Sequence, residues 1–369
     1  MIVRDIGIVG MGLWQGEVIH NERFNTARVL DAPVKDPYRG CRSDDGTVRV
    51  AGMTFTPDRH RRTIAAIERS FVDPFRCTRR RRFFPDEMKV SDAETEAAKH
   101  ALADANLTAS DIDVLLVQSF LPDEVQPKNS AIIAHNLGIT RAPAWEVDSV
   151  CNSALSQMTV GSSLILSGFA KTVLCTQSVA YSRVSDPGVS SSIQEGDMAS
   201  AFVLGRSPGT RMASSWHTDG SLHAAIKLHW TSPARSLPRR WWERSRESFL
   251  IGFDAGLQEQ VMGNIAQQAC TVSDAALLAA EMGRGELDIF ISHQPMGWFR
   301  AFMEDTLELP DGKAFDTFEE YANINSASVP ASIFEARRTG RIGPGKKVLL
   351  FCPAAGYTFG AVAIQWGER

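Results

Sequence analysis

Three side chains bound the chemistry open to this sequence: a cysteine, a histidine and an asparagine, each at the end of its own apolar run. Cys151 follows the strand-like stretch Ala144-Trp145-Glu146-Val147-Asp148-Ser149-Val150 and precedes a small-residue helix opening Asn152-Ser153-Ala154-Leu155. A thiol at a helix N-terminus faces unpaired backbone N–H groups and the positive end of the helix dipole, and both favour the nucleophilic thiolate. His293 stands in Ser292-His293-Gln294-Pro295, and Asn323 in Tyr321-Ala322-Asn323-Ile324-Asn325. Singly, each has a plain structural reading: a buried cysteine, a hydrogen-bonded core histidine, a turn asparagine. Together, at the ends of three buried elements, they point to covalent thioester chemistry.

The elements that must position them repeat. Asp111-Ile112-Asp113-Val114-Leu115-Leu116-Val117 resembles Glu286-Leu287-Asp288-Ile289-Phe290-Ile291-Ser292, and Lys171-Thr172-Val173-Leu174 resembles Lys346-Lys347-Val348-Leu349, at one common offset. A shared offset in the same order implies two similarly folded halves. Each half reads as a helix (91–104; 258–282), an apolar strand (114–118; 289–292), a polar loop, a small-residue helix (153–167; 328–339) and another buried strand (173–176; 348–351). Fully apolar strands alternating with helices predict α/β sheets covered on both faces. Gly205-Arg206-Ser207-Pro208-Gly209 breaks the pattern and divides the chain into halves 1–207 and 208–369. Residues 31–63 and 231–248 read as excursions rich in Arg, Pro and Trp.

Bulk properties narrow the field. The 369 residues are 44% hydrophobic and 22% charged, with a net charge of −4, so a sizeable core is expected and nothing calls for nucleic acid or an anionic membrane. The six cysteines show no C-x-x-C pair, so no metal site is expected and the pattern suits a reducing cytoplasm. No signal peptide is visible at the N-terminus. The uncharged stretch 149–170 carries Ser, Thr, Asn and Gln throughout and reads as a buried helix rather than a membrane span. Gly10-Met11-Gly12-Leu13-Trp14-Gln15 misses the dinucleotide fingerprint, because position 15 is not glycine.

The layout resembles the thiolase superfamily, and most closely its β-ketoacyl-acyl-carrier-protein synthase III branch, which is related to the chalcone-synthase type of condensing enzyme. The resemblance rests on Asp148-Ser149-Val150-Cys151-Asn152-Ser153-Ala154, Ser292-His293-Gln294-Pro295 and the run from Tyr321 to Pro330. Gly196-Asp197-Met198-Ala199, Asp219-Gly220 and the ending Ala354-Ala355-Gly356-Tyr357-Thr358-Phe359-Gly360 add to it. It implies a five-layered α-β-α-β-α fold and a homodimer. It also implies that Cys151 carries an acyl group as a thioester, that His293 and Asn323 donate hydrogen bonds to the second thioester, and that decarboxylative Claisen condensation follows. The acyl-enzyme carbonyl would be held by the backbone N–H groups of Cys151 and Ala355. Substrates would be acyl-coenzyme A or acyl-carrier-protein thioesters, with no permanently bound cofactor. Phe75 and Arg79 match the positions that meet coenzyme A, and the arginines of Arg79-Arg80-Arg81-Arg82 and 239–244 would suit a carrier protein's acidic surface. Glu124 falls in a loop that reaches toward the partner subunit's acyl tunnel in this family; some relatives that join two acyl chains use a glutamate there as a base, whereas a plain exposed carboxylate is the simpler reading. Polyketide or related natural-product synthesis is favoured over bulk fatty-acid synthesis. Two alternatives stand beside condensation: acyl transfer to an O, N or S acceptor, and an inactive scaffold subunit.

Overall fold

Strand residues alternate between separate cores. Val114 and Leu116 enter one core while Leu115 and Val117 enter another, and all four are fully buried. Val173 and Cys175 alternate with Leu174 in the same way, as do Ile289 and Ile291 with Phe290, and Val348 and Leu350 with Leu349. A two-residue side-chain period with apolar groups on both faces is what a sheet covered on each side requires. The computed structural model describes residues 2–21, 41–50, 52–185, 190–230 and 249–368. Most of the 31–63 excursion's first third, all of 231–248 and the basic residues 239–244 lie outside the described residues.

In chain order the strands are β1 Ile2–Trp14, β2 Glu17–His20, β3 Val48–Val50, β4 Met53–Phe55, β5 Arg80–Phe83, β6 Val114–Ser119, β7 Ala144–Glu146, β8 Val173–Ala180, β9 Asp197–Thr218, β10 Ile226–Trp230, β11 Phe249–Phe253, β12 Ile289–Ser292, β13 Ala314–Phe315, β14 Lys347–Ala354 and β15 Thr358–Gln365. The helices are α1 Arg61–Val72, α2 Val90–Ala105, α3 Asn129–Leu137, α4 Ser153–Leu166, α5 Ala255–Ala279, α6 Phe299–Thr306, α7 Phe318–Tyr321 and α8 Ser328–Arg338. Three hairpin-like ladders, β2–β5, β3–β4 and β10–β11, stand apart from the main sheets.

The duplication is visible in the pairing. The first half runs β7-β6-β8-β9-β1 and the second β13-β12-β14-β15-β9. Counted along the chain, both orders are third, second, fourth, fifth, first. The parallel and antiparallel pairs also match, with β6 parallel to β7 and β8, and β12 parallel to β13 and β14. The halves share β9: Asp197 to Leu204 pair with β8, and Arg211 to Thr218 with β15. The Gly-Arg-Ser-Pro-Gly segment is therefore the corner of one 22-residue strand. There Gly209 takes a φ of 78° and the β1 register shifts between Arg4 and Ile6.

Helices cover the sheets in three layers. Ala93, Ala97, Ala98 and Ala101 of α2, with Ile133 of α3, cover the outer face of the first sheet. Leu155 and Met158 of α4 and Val329 and Ile333 of α8 fill the space between the sheets, in one core with strand residues from both halves. Ile265, Ala269, Val272 and Ala276 of α5, with Phe299 and Phe302 of α6, cover the second sheet. This is the expected α-β-α-β-α architecture. Gly10 and Gly12 explain themselves here. A Cβ on either would lie 2.4 or 2.3 Å from the carbonyl oxygen of Ala101 or Ala97, so these glycines let α2 rest directly on β1.

The arginine run is not a basic face. Arg81 and Arg82 are buried in β5, where Arg81 donates to Asn21 Oδ1 (2.7 Å) and Thr78 Oγ1 (2.6 Å). The Arg82 guanidinium lies 5.2 Å from the centre of the Tyr321 ring.

Candidate active site

Cys151 lies in a single tight turn, Val150–Asn152, between β7 and the first residue of α4. Val150 holds a φ of 54°, an unfavourable value for a β-branched residue that costs about 1–3 kcal/mol. Local bonds offset it: Asp148 Oδ1 accepts from the Val150 N–H at 2.8 Å, and Ser153 Oγ donates to the Val150 carbonyl at 2.7 Å. Asn152 Nδ2 ties the turn to the Thr358 carbonyl at 3.1 Å, and the Cys352 thiol donates to the Cys151 carbonyl at 3.1 Å.

Burial pushes the Cys151 thiol up to about 12, while hydrogen bonds from the backbone N–H groups of Ala355 and of Cys151 itself pull it the other way. The thiolate expected from the helix terminus is thus not the resting form. Desolvation outweighs the dipole, whose benefit is about 2 kcal/mol at most. The two N–H groups at the sulfur are those expected to bind an acyl oxygen. Ala355 serves without left-handed backbone, because Gly356 (φ 81°) and Tyr357 (φ 60°) make the turn.

His293 follows β12 directly. Its N–H donates to the Phe351 carbonyl at 3.0 Å, which extends the β12–β14 ladder by one residue. The ring is 3% exposed, with Nδ1 3.2 Å from Ser328 Oγ. Burial pushes its pKa down to about 3, and a backbone hydrogen bond at Asn325 opposes this, so the imidazole is neutral. Asn323 sits beyond α7, where Ala322 takes a φ of 60° and its carbonyl accepts from Gln294 Nε2 at 2.7 Å. The Asn323 N–H donates to Gln194 (2.7 Å), and its carbonyl accepts from Gly196 (3.0 Å). Asn325 N–H donates to Asn323 Oδ1 at 2.9 Å, which fixes the amide and leaves Nδ2 as the group it offers.

Cys151, His293, Asn323 and Ala355 line one cavity of about 730 Å³. Part of its wall is apolar, from Phe71 of α1, Met262 and Ile265 of α5, and Trp298. Another part is polar, from Gln118, Tyr181, Glu195 and Asn325. Phe75 and Arg79 are not in the lining. Arg79 ion-pairs with Glu319 and Glu320, while Phe71 and Arg76 are part of the lining. Glu124 is exposed on its loop and also lies outside the cavity lining, whereas its neighbour Asp123 accepts from the Val90 N–H at the start of α2 (2.9 Å). Asp197 of the Gly-Asp motif is structural: it accepts from the N–H groups of Phe84 (2.8 Å) and Ser182 (2.9 Å). The residues that sequence reasoning missed are Tyr181, Glu195 and Asn325. Positions beside the Gly-Asp and Tyr-Ala-Asn motifs hinted at Glu195 and Asn325, and nothing in the sequence hinted at Tyr181, which follows β8. Among the described residues there is no cluster of three or more metal-ligating side chains, and no helix is long and apolar enough to cross a membrane.

Known proteins resemble the chain over much of its length. Residues 145–220 match the family model of 3-oxoacyl-[acyl-carrier-protein] synthase III, and residues 277–366 match the model of its C-terminal region. The chain is 32% identical over 279 residues to a β-ketoacyl-[acyl-carrier-protein] synthase III of Bordetella petrii, covering 73% of this chain and 79% of that one. It is 30% identical to a Streptomyces coelicolor synthase III, covering 75% and 83%. Among solved structures, the 3-oxoacyl-[acyl-carrier-protein] synthase III of Aquifex aeolicus superposes with a TM-score of 0.74 at 21% identity, over 98% of this chain and 100% of that one. Cerulenin-bound OleA of Xanthomonas campestris gives 0.75 at 18%, over 99% and 98%. With this cysteine, histidine and asparagine on one cavity and such identity over three quarters of its length, the chain belongs to the β-ketoacyl-[acyl-carrier-protein] synthase III family.

Proposed function

We propose that the protein is a condensing enzyme that joins an acyl group carried on Cys151 to a malonyl-type thioester, in polyketide or fatty-acid-type biosynthesis. The observation that carries this reading is the convergence of Cys151, His293, Asn323 and Ala355, from four separate parts of the chain, on one cavity. Cys151 Sγ attacks the acyl thioester carbonyl. Its oxygen moves into the N–H groups of Cys151 and Ala355, the carbon–sulfur bond of the donor breaks, and coenzyme A or carrier thiol leaves. Burial keeps both Cys151 and His293 uncharged at rest. The sulfur therefore loses its proton during attack, and that proton ends on the departing thiol.

The second thioester then places its carbonyl oxygen between an imidazole N–H of His293 and Nδ2 of Asn323. Loss of carbon dioxide leaves the electron pair as an enolate. Each donor aimed at its oxygen is worth about 3 kcal/mol. The carbanion attacks the Cys151 thioester, the sulfur–carbon bond breaks, and a β-keto thioester departs. The fixed Asn323 amide favours condensation over simple transfer, which has less need of a second donor pair.

The same reading takes the halves as 1–207 and 208–369 and the working unit as a homodimer. Strand β7 lies at the end of its sheet, and beside it Trp145 and Phe169, 40% and 58% exposed, stack at 5.9 Å. An apolar pair at a free sheet edge suits a self-association surface. Intact-protein mass spectrometry after exposure to acyl-coenzyme A tests the first step. The wild-type chain should gain one acyl group and Cys151→Ala none; an unmodified wild-type chain with every donor would favour a scaffold role.

A further inference from the structure

Part of the cavity wall has no role in the steps above. Asn325 is 2% exposed and donates Nδ2 to the Tyr181 hydroxyl oxygen at 2.8 Å, while its Oδ1 has no hydrogen-bond partner. A buried amide oxygen left unpaired is costly, and this one belongs to a residue that lines the cavity, so a ligand bringing a donor to it would relieve that cost. Glu195 supplies a second acceptor. An isolated bridge joins its backbone to Asn323, and its carboxylate accepts from the Ser185 hydroxyl. Burial pushes its pKa up to about 7. Burial raises the pKa of Tyr181, a charge on Glu195 adds to this, and its hydroxyl, already accepting from Asn325, still has a proton to give. Phe120 and Leu228, also in the cavity wall, pack in one cluster with Tyr181. An alkyl chain lying here would leave Asn325 Oδ1 unpaired and desolvate the Glu195 carboxylate, whereas a hydroxyl would pair one of the two acceptors and an ammonium could pair both.

We propose that Glu195 and Asn325, with Tyr181, form a polar subsite that selects acyl groups bearing a hydroxyl or amino substituent over alkyl groups of the same size. The proposal rests on the reading of Cys151 as the acyl carrier. A hydroxyl would donate to Glu195 or Asn325 and accept from Tyr181, and an amine would pair with ionised Glu195.

The test uses isosteres: 3-hydroxybutyryl- and 3-aminobutyryl-coenzyme A against 3-methylbutyryl-coenzyme A, with 4-hydroxypentanoyl- against 4-methylpentanoyl-coenzyme A for the next position along the chain. Binding is measured by calorimetry on Cys151→Ala, and loading of Cys151 by mass spectrometry on the chain with its thiol. At least one polar chain should be preferred by about 10- to 100-fold. Glu195→Leu should abolish or invert the preference, and Glu195→Gln should keep the hydroxyl preference and lose the amino one. Equal affinities for every isosteric pair, or a preference unchanged in both Glu195 variants, would overturn the subsite. Preferential binding without loading of Cys151 by any thioester would sustain the subsite and overturn the carrier role. Loading without preference would do the reverse.

Discussion

The protonation state of Cys151 gives the sharpest quantitative test. With the thiol pushed up to about 12, only about one sulfur in 10⁵ is ionised at pH 7, against about 3% for an unperturbed cysteine. That is a deficit of about 3,000-fold in thiolate. A more basic thiolate is also more nucleophilic, with a Brønsted slope of about 0.45, which restores roughly 40-fold. Alkylation of Cys151 by iodoacetamide at pH 7 should therefore run about 100-fold slower than that of a free cysteine. Its logarithmic rate should climb with unit slope past pH 9 without a plateau. His293, uncharged at rest, offers no cation to hold a thiolate, so His293→Ala should leave this profile within a few-fold of wild type. The rate would be followed by peptide mass spectrometry of the Cys151 peptide, with circular dichroism confirming the fold at each pH. A plateau below pH 8 that disappears in His293→Ala would refute the reasoning, since it would mean a preformed thiolate–imidazolium pair.

Other consequences are open to measurement. Asn323→Ala should leave loading of Cys151 within a few-fold of wild type and slow β-keto product formation by about 100-fold, read by single-turnover chromatography. Burial lowers His293 from 6.5 to about 3, so the unfolded chain binds its proton first and stability falls as pH drops from 6.5 toward 3; His293→Gln should flatten that limb in acid-denaturation curves. Gly12→Ala would set a Cβ 2.3 Å from the Ala97 carbonyl oxygen and 2.4 Å from the Ala101 nitrogen, so α2 must lift from β1 at a cost of about 1–3 kcal/mol, seen as a lower Tm. On the proposed homodimer, wild type should scatter as a dimer and Trp145→Asp should shift it toward monomer, with Tm measured alongside to separate dissociation from unfolding.

Much of the fold was legible because its signals are local. Apolar runs such as Val114-Leu115-Leu116-Val117 declare burial on both faces, and a common offset between two pairs of segments declares duplication. A strand that serves both halves is not a local signal. Gly205 to Gly209 reads as a break, yet β9 turns a corner there and continues, paired to β1 and β8 before it and to β1 and β15 after it. Likewise Cys151, His293 and Asn323 were legible as residues just past strands or loop motifs. The protonation state of the thiol was not, because desolvation depends on neighbours distant in sequence, and even the opposing N–H group of Ala355 comes from the other half of the chain. Motif matching offered Phe75 and Arg79 for coenzyme A; Arg79 pairs with Glu319 and Glu320, and it is Phe71 and Arg76 nearby that line the cavity wall. Glu195 and Asn325 escaped notice because neither type stands out in a loop until a fold closes around it.

The central claim is carbon–carbon bond formation from a Cys151-bound acyl group. Its most direct measurement is one experiment on the intact protein with acyl-coenzyme A and malonyl thioester, counting carbon dioxide released and β-keto thioester formed. The account predicts the two in equal amounts, both lost in Cys151→Ala. Stable acylation of Cys151 with no carbon dioxide and no β-keto product would contradict it and leave acyl transfer as the reaction.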